Sequence, residues 1–170
     1  MRHWLVAGAA LLAGALAAQS VAQSAATHRY SAAGDVKVEV QTLTGRIGPF
    51  PHSVRFGEEV ASVLNYTDEI ALDDADFLGN ARSAIVPGSR HPVAVFQLMP
   101  ASGADYSATM TSLCGGLAGI PFIGLENGAG SMRKRGFDAK APTRLYVFEE
   151  TFAPGRVVLR LCKAIDLAPA

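Results

Sequence analysis

The chain contains two cysteines, Cys114 and Cys162, and any fold it adopts must decide whether they meet. A disulfide requires Cα atoms within about 7 Å of each other. Pairing would therefore pin the middle of the chain to its last apolar segment. The N-terminus supplies the compartment in which such a bond persists. "MRHWLVAGAALLAGALAAQSVAQS" opens with Arg2 and His3, runs apolar from Leu5 to Ala18, and offers Ser20-Val21-Ala22 as a small-residue cleavage site. The apolar run is too short for a bilayer anchor, and no cysteine at the junction could carry a lipid. Residues 1–22 read as a signal peptide and the product as periplasmic or secreted. In an exported chain two cysteines most simply bridge each other. Such a bridge is worth on the order of 4 kcal/mol by loop-closure entropy.

The local sequence of Cys114, "TSLCGGLAG", also admits a nucleophile on an exposed turn. That chemistry needs a lowered thiol pKa and a neighbouring base, commonly histidine. His28, His52 and His91 are each isolated in the sequence. No CxxC, GxSxG or SxxK motif is present, and no HExxH, HxH or paired CxxC spacing for a metal. The sequence therefore assigns no catalytic residue, no metal ligand and no cofactor.

Removing residues 1–22 from the 170 leaves 148, a length suited to one domain. Arg2 leaves with the signal, so fourteen basic residues face fifteen acidic ones, a net charge of −1. A chain so close to neutrality has no global electrostatic case for nucleic acid. Nor does any later stretch reach the roughly 18 apolar residues of a membrane span.

Residues 23–34 are small and polar and read as a flexible leader to a globular domain over 35–168. "DVKVEVQTL" alternates Val36, Val38 and Val40 with Lys37, Glu39 and Gln41, the pattern of a half-buried strand. "GRIGPFPH" reads as turn material because of Gly48-Pro49 and Pro51. Residues 56–65 fit a helical stripe through Phe56, Val60, Val63 and Leu64, against which their β-branched valines count. "ARSAIVPGSRHPVAVFQLMP" reads as a hairpin about Pro87-Gly88. "ADYSATMTSLCGG" reads as a short helix stopped at Gly115. "GIPFIGL" has the look of a brief buried strand, and "TRLYVFEETFAPGRVVLRLCKAI" of a second hairpin about Ala153-Pro154-Gly155. Strands outnumber helices without βαβ alternation. The expected fold is α+β, an antiparallel sheet with one or two short helices, the alternative being an all-β barrel or sandwich.

Two charge runs remain. Residues 56–81 carry Glu58, Glu59, Asp68, Glu69, Asp73, Asp74 and Asp76 and no basic residue. "DADFLG" within it fails as a calcium loop, since Leu78 and Ile85 stand where an EF-hand needs oxygen ligands. The run reads as a solvated acidic face. "ENGAGSMRKRGFDAKAP", Glu126 to Pro142, is a long loop with consecutive cations at Arg133, Lys134 and Arg135. Loops of this length in compact domains tend to be functional or disordered. Met132, Arg133, Lys134 and Arg135 are thus the candidate contact residues, for an acidic envelope protein or a polyanion. The reading is a small exported, disulfide-closed, non-catalytic binder of inhibitor or accessory type. A barrel that binds a small apolar ligand, and an envelope hydrolase, stand as alternatives.

Overall fold

The computed structural model describes residues 24–32, 37–58, 61–70, 82–84, 88–99, 113–115, 120–154 and 156–170. Residues 1–22, whose sequence reads as a signal peptide, lie outside them. Nine strands form one sheet: β1 (Ala25–Ala32), β2 (Lys37–Gly45), β3 (Gly48–Phe56), β4 (Ser62–Ile70), β5 (Arg82–Ala84), β6 (Val93–Met99), β7 (Pro121–Asn127), β8 (Thr143–Ala153) and β9 (Arg156–Pro169). Eight of them pair antiparallel in the order β1-β2-β3-β4-β6-β7-β8-β9, and β1 pairs back onto β9 to close a barrel. The short β5 adds to β9 in parallel, at Arg82–Ala84 against Val157–Leu159. One single-turn helix, α1 (Met132–Arg135), sits in the β7–β8 connection.

The expected α+β class is therefore corrected to its barrel alternative. The alternation of β2 is what commits it. Val38, Val40 and Thr42 are buried while Glu39 and Gln41 between them lean outward, as a period of two demands. The inward set continues around the ring through Tyr30, Val54, Leu64, Phe96, Leu98, Ile123, Leu125, Leu145, Val147 and Ile165, which form one core. The outward side of β1–β3 carries charge, with Glu39 between Arg29 and Arg55. Among the described residues no helix is long and apolar enough to cross a membrane.

A second buried cluster lies on the outward side of β6, β7 and β8: Ile70, Val93, Val95, Phe122, Tyr146, Phe148 and Leu159. β7 is consequently buried on both faces along its whole length. Gly124 makes the close packing there possible, because a Cβ at that position would stand 2.7 Å from Val93 Cγ1 and 3.1 Å from Phe148 Cε2.

Several local readings are corrected. Ala25–Ala32, within the expected leader 23–34, is β1, so the folded unit begins ahead of residue 35. "GRIGPFPH" is mostly strand. Gly45 and Gly48 end the β2–β3 ladder, and Pro51 is accommodated where the register shifts between Gln41 and Thr42, one of the places a sheet tolerates proline. The helical stripe at 56–65 spans two strands: Phe56 closes β3, residues 57–58 turn, and Val63 and Leu64 belong to β4. Among the described residues the strands on either side of Pro87-Gly88 do not pair as the expected hairpin: β5 pairs with β9, and β6 with β4 and β7. Of the helix ending at Cys114, only Leu113 and Cys114 are described. Both are helical, and Gly115 follows at φ 70°. The Ala153 turn is the expected β8–β9 hairpin, with Ala153 opposite Arg156.

Candidate binding surfaces

The connections at the two barrel ends place the candidate residues. At one end β6 leaves and β7 enters. Leu113 is buried in the core there, Cys114 packs against it, and Cys114 is bonded to Cys162 with Cα atoms 4.9 Å apart. Cys162 is the extra residue of the β8–β9 ladder, between the pairs Val147–Lys163 and Phe148–Leu161. A thiol consumed in this bond offers no nucleophile, which removes the cysteine form of the hydrolase alternative.

At the other end β7 leaves and β8 enters, through residues 128–142. Met132 is 0 % exposed and joins the core with Phe137. Its assignment as a contact residue is thus corrected: the side chain anchors the turn from inside. Arg133, Lys134 and Arg135 are exposed, as their hydrophilic run suggested. Backbone tethers fix the turn that carries them. Ser131 Oγ accepts from Lys134 N at 3.3 Å, and Glu69 Oε2 accepts from Arg133 N at 2.9 Å. Gly136, at φ 77°, donates to Met132 O at 2.8 Å, and Phe137 N donates to Pro49 O at 2.6 Å. Arg135 folds back so that Nη1 donates to Ala129 O at 3.2 Å. Among the described residues no carboxylate forms an ion pair with Arg133, Lys134 or Arg135, whereas Arg29, Arg55, Arg144 and Arg160 each have one.

Asn127 holds the root of this connection. Fully buried, it donates from Nδ2 to Asp138 O at 2.9 Å and to Thr143 Oγ1 at 3.1 Å, and its Oδ1 accepts from Ala129 N and Asp138 N. The amide thereby satisfies backbone groups that a loop sealing a barrel would otherwise bury unpaired.

Sequence reasoning did not find the cleft beside this loop, on the outer side of β7, β8 and β9. It measures about 410 Å³ and is lined by Arg90, His91, Glu126, Thr143, Arg144 and Asp166 among others. Ladder pairing produces it. Glu126 lies opposite Arg144, and Arg144 opposite Asp166, so three charged side chains share one row across three strands. Arg144 grips Asp166 with two bonds, Nε to Oδ1 at 2.5 Å and Nη2 to Oδ2 at 3.2 Å. That bond holds the Asp166 carboxyl below the usual carboxylate range, and the Arg90 guanidinium lowers it further; in return Asp166 raises Arg144. Glu126, 7 % exposed, accepts from Arg90 N at 2.6 Å, His91 N at 3.0 Å and Tyr146 Oη at 2.7 Å. Burial first, and the Glu126 bond second, push the Tyr146 phenol up to about 12. No motif announced this arrangement, because its members lie on four segments that only the register aligns.

Of the acidic run, Glu58 is exposed and Asp68 and Glu69 are partly buried. Glu59, Asp73, Asp74 and Asp76 lie outside the described residues. No group of three or more potential metal ligands occurs among the described residues. His28 lies within 3.0 Å of Thr42 Oγ1 and against the Phe137 ring, at 5.8 Å between centroids. Comparisons with protein-family models, curated proteins and solved structures find no match to this chain.

Proposed function

We propose that the protein is a small exported binding protein, of inhibitor or accessory type, that docks an anionic macromolecule of the cell envelope or its surroundings through Arg133, Lys134 and Arg135. The observation that carries this reading is the contrast within α1: three exposed cations that form no ion pair among the described residues, on a turn clamped by Met132, Ser131 and Glu69. A basic patch held rigid loses little conformational entropy on association and steers an acidic surface toward it. The disulfide is consistent with an oxidising compartment, and the N-terminal segment with export into one. The apolar-ligand alternative has less support, since Tyr30, Phe96, Leu98, Ile123, Leu125 and Met132 pack the interior that such a ligand would need.

The test is a pull-down from envelope extract with the wild type and with the Arg133→Ala/Lys134→Ala/Arg135→Ala variant, at low and at raised salt. The expected result is a partner recovered by the wild type only, with recovery falling as salt rises. Equal recovery of every partner by both proteins would remove the basic turn from the account.

A further inference from the structure

We propose that the cleft between the Gly88–His91 segment and the strands β7–β9 is a second site, which binds a small carboxylate between Arg90 and Arg144. Its volume, about 410 Å³, falls in the range of small-molecule sites. Its walls are fixed before anything binds. Glu126 ties the backbone of Arg90 and His91 to β7, Arg144 Nη1 reaches Gly88 O at 3.5 Å, and Gly128 N donates to Pro142 O at 2.8 Å. Preorganised walls are what let a small ligand bind without an ordering cost.

The charge arrangement selects the ligand. Glu126 is buried and its oxygens are engaged within the wall by two backbone N–H groups and the Tyr146 hydroxyl. Arg144, Arg90 and Asp166 remain at the mouth; with Glu126 in the wall the four charges balance, and Arg90 is the cation left over from the Arg144–Asp166 pair. Asp166 already displays the chemistry in question. Its carboxylate, 77 % exposed, is held two-pronged by Arg144 and feels Arg90 from nearby. Arg90 has no ion pair of its own among the described residues, and its planar fork suits a carboxylate. A ligand carboxylate entering the cleft completes Arg90 as Asp166 completes Arg144. Leu167 and Pro142, also in the lining, offer apolar surface to the ligand's carbon chain.

Two sources share this chemistry, a free organic acid and the C-terminal carboxylate of a peptide. The experiment follows the backbone amides of the full ¹⁵N-labelled chain by NMR. One arm adds succinate, a second an acetyl-trialanine with a free C-terminus, and a third its C-terminal amide. Concentrations up to about 10 mM reveal any site with a Kd of about 1 mM or tighter. The expected result is saturable shifts at Gly88, Arg90, Gly128 and Arg144 with succinate, with the free peptide, or with both, and none with the amide. Whichever carboxylate binds identifies the source. Arg90→Ala keeps the backbone N–H that Glu126 uses, so it should leave thermal stability unchanged while weakening binding about tenfold. The Arg133→Ala/Lys134→Ala/Arg135→Ala variant should bind as the wild type does, which separates this site from the basic turn. Absence of saturable shifts in all arms, equal shifts with the amide, or undiminished binding by Arg90→Ala overturns the proposal.

Discussion

The two ends of this barrel are closed by different means. Where β6 passes to β7, Leu113 enters the core and the closure is made covalent by Cys114–Cys162. Where β7 passes to β8, closure rests on Met132 and Phe137 from above and on Asn127 and Glu69 from the side. A covalent bond stabilises mainly by restricting the unfolded chain and asks little of the surface it leaves. Closure by packing and hydrogen bonds fixes a surface turn in the folded state itself. The second end is thus where a defined constellation of charges stands, and the candidate cleft lies beside it.

Substitutions at the two ends should break this contrast in graded steps. Replacing both cysteines by alanine should cost about 4 kcal/mol in urea unfolding, mostly through the unfolded chain; a loss under about 1 kcal/mol would show the bond to be incidental. Met132→Ala at the opposite end should cost about 3 kcal/mol, since it empties a fully buried site. Measured in the same way, a neutral outcome would mean that the turn is not anchored. Gly136→Ala should cost about 2 kcal/mol. Its φ of 77° disfavours a side chain, and the new Cβ would stand 2.8 Å from Pro49 O. The Arg144–Asp166 pair is exposed enough to contribute at most about 1 kcal/mol. Because its folded carboxyl lies below the ordinary value, the contribution is present above that value and is lost as pH falls through the folded one. Asp166→Asn should remove that contribution at neutral pH, a loss of at most about 1 kcal/mol, and change little below the folded value, so that the acid limb of the stability profile flattens. Smallest of all, Arg133→Ala/Lys134→Ala/Arg135→Ala should stay within about 0.5 kcal/mol of the wild type, because the tethers of α1 are backbone groups and Met132.

What the sequence makes legible follows the same division. Local signals held wherever burial and period agree: the alternation of β2, the apolar "GIPFIGL" of β7, the turn at Ala153, and the two cysteines as a bridge. They misled wherever a strand owes its existence to its neighbours. β1 is built of Ala, Thr, His, Arg and Ser with Tyr30 its fully buried anchor, and it is a strand because β2 and β9 hydrogen-bond it from both sides. Phe56 and Leu64 share a helical spacing yet sit on two antiparallel strands, both facing the core. The cations of α1 were visible as a run, but the inward turn of Met132 was not. A methionine beside arginines carries no local sign of which side it faces. The Glu126–Arg144–Asp166 row was beyond reach, as register between distant strands is set by the whole barrel.

The most direct test of the two-ended account is amide hydrogen exchange on the intact chain, oxidised and then reduced. Reduction of Cys114–Cys162 should raise exchange at Leu161, at Phe148 opposite it and at Phe122 opposite Phe148, while Asn127, Gly136 and Phe137 keep their protection. Equal loss of protection at both ends, or loss first around Gly136, would contradict it.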